Sequence, residues 1–208
     1  MTEQARHSLA RLFKRCLTAD YVQVGRSANY AAVRQDDVLY LYFQDSNGAQ
    51  DWRSNLDFPA RPYREMDGIR WYAHRGFVRV WQEIEPYIAP YVADPTLHCV
   101  VTVGYSHGGA LAVLCHEYLW FHRPDLRRSI EGYAFGCPRV LWGARSGELL
   151  ARWERFFVVR NIDDVVTHLP PRALGYFHVG HLLEIGEKGK YSPIDAHRAE
   201  NILAELER

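Results

Sequence analysis

The chain has 208 residues, 48% of them hydrophobic and 24% charged, which is enough for one well-buried core, so a single domain over residues 1–208 is expected. Lys plus Arg and Asp plus Glu both number 25, which leaves no global field to draw in nucleic acid or an anionic membrane surface. Cys16, Cys99, Cys115 and Cys137 form no C-x-x-C pair and the ten histidines no H-E-x-x-H pattern, which argues for reduced structural thiols and against any metal.

The first residues, MTEQARHSLARLFKRCL, are basic and lack the apolar stretch of about 7 to 15 residues of a secretory leader. No run reaches the roughly 18 consecutive apolar residues of a membrane span. A cytoplasmic protein without a transmembrane segment is expected, although a processed, secreted form would read identically.

Residues 2–18 carry Leu9, Leu12, Phe13 and Cys16 at helical spacing and predict an amphipathic helix on the outside of the fold. Residues 29–34 and 38–43 are β-prone runs separated by Gln35, Asp36 and Asp37, which reads as a hairpin. After a polar stretch, residues 76–91 predict a helix with Phe77, Val80, Trp81, Ile84 and Ile88 on one face. From His98 the order is strand (HCVVTV), helix (107–122), strand (GYAFG), helix (around 141–154), strand (FFVVR), strand (HLLEI) and helix (195–207). Such alternation builds an α/β fold, a mostly parallel sheet with helices on both faces, whose site lies at the carboxyl ends of the strands.

Gly104-Tyr105-Ser106-His107-Gly108 matches G-x-S-x-G, and it stands between an apolar run, CVVTV, and a helix, GALAVLCHEYLWF. A sharp strand-to-helix turn exposes the serine hydroxyl, and only small residues two positions to either side avoid neighbouring chain. Ser106 is therefore the candidate nucleophile, with the His107 amide, at the positive end of the helix dipole, as the first oxyanion donor. The competing reading is a glycine-rich turn that merely packs tightly or cradles phosphate, but the Walker pattern needs a Lys that is absent here.

Several further motifs follow one order: FQDSNGAQDWRSNL at 43–56, HRGF at 74–77, the elbow VTVGYSHGGALAVL, FGCPRV at 135–140, RNIDDVVTHLPP at 160–171, FHVGHLLEI and a late D-x-H. Together, over about residues 38–200, they resemble the class 3 (fungal-type) lipase family. The resemblance implies the α/β-hydrolase fold, lipid-type carboxylic esters as substrates, no cofactor, and a Ser, Asp, His chain order.

A serine hydroxyl attacks only when a histidine takes its proton and a carboxylate holds that histidine. Asp163 and Asp164 both follow FFVVR; in the family motif the acid precedes L-P-P by five positions, which selects Asp164. Candidates for the base are His168, His178, His181 and His197. The resemblance selects His197, at the start of the final helix, with His178 as runner-up, although Glu200 stands where the family's D-x-H-x-x-Y has its aromatic residue.

The second oxyanion donor is expected at Ser46 by the same resemblance, with Gly48 as alternative; the family's Arg-Gly pair is here Gln44-Asp45, so Asp45 must point away or be paired. Residues 47–56 match the segment that often forms a lid in this family, and with only Trp52 and Leu56 as large apolar residues they predict a poorly covered site. Residues 59–73 are the alternative cover. Competing functions are a thioesterase or peptidase using the same triad and a non-catalytic hydrolase-fold binding protein, the latter favoured only by Gln44-Asp45.

Overall fold

The computed structural model describes residues 1–25, 28–45, 59–66, 69–143 and 150–208 and, at 45, 63–66 and 69–71, the backbone alone. Helix α1 (Glu3–Thr18) starts where the Thr2 side chain accepts from the Ala5 amide at 3.2 Å, and Leu9, Ala10, Phe13 and Cys16 form its buried stripe. Strand β1 (Val22–Val24) then leads into a hairpin of β2 (Ala28–Gln35) and β3 (Val38–Asp45), with Gln35 opposite Val38. The two-residue turn between them needs a left-handed backbone, and Asp36 supplies it at φ 52°. There follow β4 (Ala60–Met66), β5 (Ile69–His74), α2 (Arg75–Val92), β6 (Cys99–Tyr105), α3 (His107–His122), β7 (Ile130–Phe135), β8 (Leu141–Trp142), β9 (Phe156–Asn161), β10 (Tyr176–Phe177), β11 (His181–Ile185) and α4 (Ala199–Leu206).

Among the described residues, seven strands form the main sheet in the order β1-β2-β3-β6-β7-β9-β11, antiparallel from β1 to β3 and parallel from β3 onward. The period of two sorts each strand's side chains between two cores. Leu39, Leu41, Phe43, Val100 and Ala134 join the core of α2 and α3, whereas Tyr42, Val101, Val103, Phe135 and Val159 join that of α1 and α4. Helix α3 is buried from His107 to Leu119, because the sheet and α2 enclose it, and its sequence is accordingly apolar all round.

Two expectations change. The segment expected to be a helix around 141–154 begins as strand: Leu141 and Trp142 pair with Ala73 and Tyr72 of β5 and with Phe177 and Tyr176 of β10. With β4 these make a second, four-stranded sheet in the order β10-β8-β5-β4, to which the alternative cover, residues 59–73, contributes a pair of antiparallel strands. The final helix is interrupted: residues 195–197 form a 3-10 turn, Arg198 is extended at ψ 140°, and α4 starts only at Ala199.

Candidate active site

At the junction of β6 and α3, Ser106 takes φ 56° and ψ −121°, a region that costs a non-glycine residue about 1 to 3 kcal/mol. Its amide donates to the Phe135 carbonyl on β7 at 2.9 Å, and its carbonyl accepts from the Gly109 amide at 3.0 Å, so both neighbouring elements hold the turn. The flanking glycines are steric necessities. A Cβ on Gly104 would stand 2.0 Å from the Gly108 carbonyl oxygen, and one on Gly108 would stand 2.0 Å from that of Phe43.

Ser106 is half-buried, and its Oγ lies 2.8 Å from His197 Nε2. On the other side of the ring, His197 Nδ1 donates to Asp164 Oδ2 at 2.9 Å. Because a carboxylate only accepts, that bond puts the proton of neutral His197 on Nδ1 and leaves Nε2 as acceptor for the serine hydroxyl. Asp164 is 0% exposed, and its Oδ1 accepts from the Val166 amide at 2.9 Å, which supplies a buried carboxylate with a second donor. Three residues from three separate segments thus form one hydrogen-bonded chain.

The remaining candidates stand elsewhere. Asp163 accepts from the Gly189 amide at 2.8 Å and from the Tyr191 amide at 3.4 Å. His178 donates from Nε2 to the Thr167 carbonyl at 2.8 Å, and burial pushes its pKa down to about 4. His181 donates to the Glu154 carbonyl at 2.9 Å, and His168 is exposed. Ser46, Gly48 and the lid segment 47–56 lie outside the described residues. β3 runs beside β6 with Phe43 opposite Gly104, and the His107 amide opens α3 at the elbow.

Some contributors escape sequence reasoning. Gly136, at φ 56°, passes so close to the His197–Asp164 pair that a Cβ would come within 3.1 Å of His197 Nδ1 and 3.2 Å of Asp164 Oδ2. Arg139 donates to the backbone carbonyls of His168 and, at 2.9 Å, Pro170, which fastens the loop that follows Asp164. Both belong to FGCPRV, a motif recognisable in the sequence without its task. Tyr105 donates to the His197 carbonyl at 2.7 Å, and only its place in the elbow could have drawn attention to it. Among the described residues, no group of three His, Cys, Asp or Glu side chains is arranged to hold a metal ion, and no helix is long and apolar enough to cross a membrane.

The Rhizomucor miehei lipase is 30% identical over 151 residues, 70% of this chain and 41% of that protein. The "Secreted mono- and diacylglycerol lipase 1" of Fusarium solani is 31% identical over 145 residues, covering 67% of this chain and 41% of the relative. The match therefore spans about two-fifths of the length of these relatives. In three dimensions, the native propeptide complex of the Rhizomucor miehei lipase superposes with a TM-score of 0.75 at 21% identity, over 99% of this chain and 80% of that one, which establishes the α/β-hydrolase fold. The family profile described as Lipase (class 3) matches residues 40–174, a span that holds the elbow, the FGCPRV turn and Asp164, and the chain belongs to the class 3 lipase family.

Proposed function

We propose that the chain, as one domain, is a serine hydrolase of lipid-type carboxylic esters, with Ser106 as nucleophile, His197 as general base and Asp164 as the acid that orients it. The observation that carries this reading is the pair of distances, 2.8 Å from Ser106 Oγ to His197 Nε2 and 2.9 Å from His197 Nδ1 to Asp164 Oδ2. Ser106 Oγ attacks the ester carbonyl while its proton passes to His197 Nε2. The buried Asp164 carboxylate stabilises the imidazolium, and the amides of His107 and Ser46 receive the developing oxyanion. His197 then protonates the departing alkoxide, leaving acyl-Ser106. Water, deprotonated by the same nitrogen, releases the carboxylate. No cofactor takes part.

The substrate class is supported by the family and by the names of the Rhizomucor and Fusarium relatives. Free Cys16, Cys99, Cys115 and Cys137 suit a reducing compartment, whereas the Fusarium relative is named as secreted, so localisation of the tagged protein decides between the two. The test of activity is labelling by a fluorophosphonate together with hydrolysis of p-nitrophenyl butyrate. The expected result is label on the parent and none on Ser106→Ala, with turnover lost in parallel. An unlabelled parent, or Ser106→Ala turning over within tenfold of it, overturns the reading.

A further inference from the structure

Strand alternation turns Tyr105, the last residue of β6, to the face it shares with Val101 and Val103, away from α3 and toward α1 and α4. Its ring is enclosed there on two sides. Phe13 of α1 meets it edge-on, with centroids 5.5 Å apart and planes at 69°, and the His197 imidazole stacks on it at 5.5 Å and 25°. The hydroxyl donates to the backbone carbonyl of the same histidine at 2.7 Å. One residue therefore touches His197 at both its backbone and its ring.

Both contacts fill a need. The chain leaves helical geometry at Arg198, so the His197 carbonyl sits at the break between the 195–197 turn and α4, and the Tyr105 hydroxyl bonds it there. The bonds from Nδ1 to Asp164 and from Nε2 to Ser106 hold two points in the plane of the imidazole and leave the tilt of that plane about the line joining them, which a second ring stacked on its face restrains. The family pattern D-x-H-x-x-Y has an aromatic hydroxyl three residues after the histidine, where this chain has Glu200. In this chain an aromatic hydroxyl reaches the histidine from the elbow instead.

We infer that Tyr105 is a positioning residue for the base, holding the His197 backbone through its hydroxyl and the imidazole plane through its ring, so that Nε2 stays on Ser106 and Nδ1 on Asp164. The inference rests on the reading of His197 as general base. The face of the phenol ring is also the electron-rich side, which favours the imidazolium formed during attack. Burial first, and then the Asp164 and Glu200 carboxylates, raise the phenol's pKa, so the hydroxyl keeps its proton and remains a donor throughout the working pH range. Loss of alignment at a reacting group costs rate with little effect on binding.

The experiment compares Tyr105→Phe and Tyr105→Leu with the parent, Ser106→Ala and His197→Ala in the full chain, using p-nitrophenyl butyrate, fluorophosphonate labelling and the NMR resonance of the His197 Nδ1 proton. Tyr105→Phe is expected to lower kcat about tenfold and Tyr105→Leu about a hundredfold, with KM within about twofold and labelling rates falling by the same factors. The downfield Nδ1 proton signal of the parent is expected to broaden in Tyr105→Leu. Tyr105→Phe keeps the ring, so it carries the test if Tyr105→Leu does not fold. An active parent and inactive His197→Ala alongside a Tyr105→Phe with kcat within twofold and an unchanged proton signal, or a loss confined to KM, overturns the role of Tyr105 alone. If His197→Ala matches the parent, or the parent fails to hydrolyse the ester, the assignment of the base falls and this inference with it.

Discussion

Adjacent carboxylates on one loop meet different partners here. Asp163 accepts amides of the 187–191 turn, whereas Asp164 is enclosed and faces His197. The turn after β9, closed by the Asp164 amide on the Asn161 carbonyl at 3.0 Å, sends the two side chains to different partners, so only one of the two serves the imidazole. Asp164→Asn and His197→Ala are each expected to lower kcat on the order of 10³-fold or more, because a triad acts as a unit. Asp163→Asn is expected to keep kcat within about threefold and to lose about 1 kcal/mol of stability, the worth of a turn-fastening hydrogen bond. Kinetics and urea unfolding of the three variants check this, and a worse lesion at Asp163 would contradict the choice of acid. His178 is two bonds removed: it holds the Thr167 carbonyl, and the Thr167 hydroxyl donates to the Asp164 carbonyl at 2.8 Å. At this scale Ser106 was legible, because its motif is local. Asp164 and His197 came from motif spacing, since nothing in the residues themselves tells Asp163 from Asp164 or His197 from His178. Tyr105 was not legible, because its partner lies 92 positions away.

The elbow as an element depends on close approach of three backbones. Gly108 on α3 lies against the end of β3, and an added Cβ would meet the Phe43 carbonyl oxygen at 2.0 Å and its carbon at 2.5 Å, neither of which can swing aside. Gly108→Ala is therefore expected to part α3 from β3, at a cost of about 2 kcal/mol or more, and to abolish ester hydrolysis. Urea unfolding and p-nitrophenyl butyrate turnover read both effects, and a fully stable, active variant would refute the steric argument. The long elements α1 and α2 and the β2–β3 hairpin were legible because their apolar spacing is local and repeats, and α3 because an apolar run follows the elbow. The second sheet was not: β8 and β10 have two residues each, and they are strands only because β5 pairs with β8. A helix was expected at 141–142 for the same reason, since two residues carry no period.

For the molecule as a whole, buried His116 and half-buried His178 set a response to acid. His116, under Trp153 and donating to the Arg152 carbonyl at 3.0 Å, and His178 both have pKa values lowered by burial from 6.5 to about 4. The unfolded chain takes up these protons near pH 6.5, while the folded chain resists until about pH 4. Within that window the unfolded state binds more protons, so stability falls as pH falls. From pH 7.5 to 5 each histidine is expected to cost about 2 kcal/mol, and His178→Gln to remove its share of that slope. Urea midpoints across this range test it, and a flat profile would refute it. The fold class and the elbow could be read from the sequence because each strand, each helix and G-x-S-x-G is a local signal, written within about twenty consecutive residues. Family motif spacing singled out Asp164 and His197, but that they meet at Ser106, that Gly136 and Tyr105 enclose them, and that 141–142 is strand came only with the folded chain. Each depends on contacts between segments far apart in sequence, and no local pattern encodes where a parallel sheet brings its loops together.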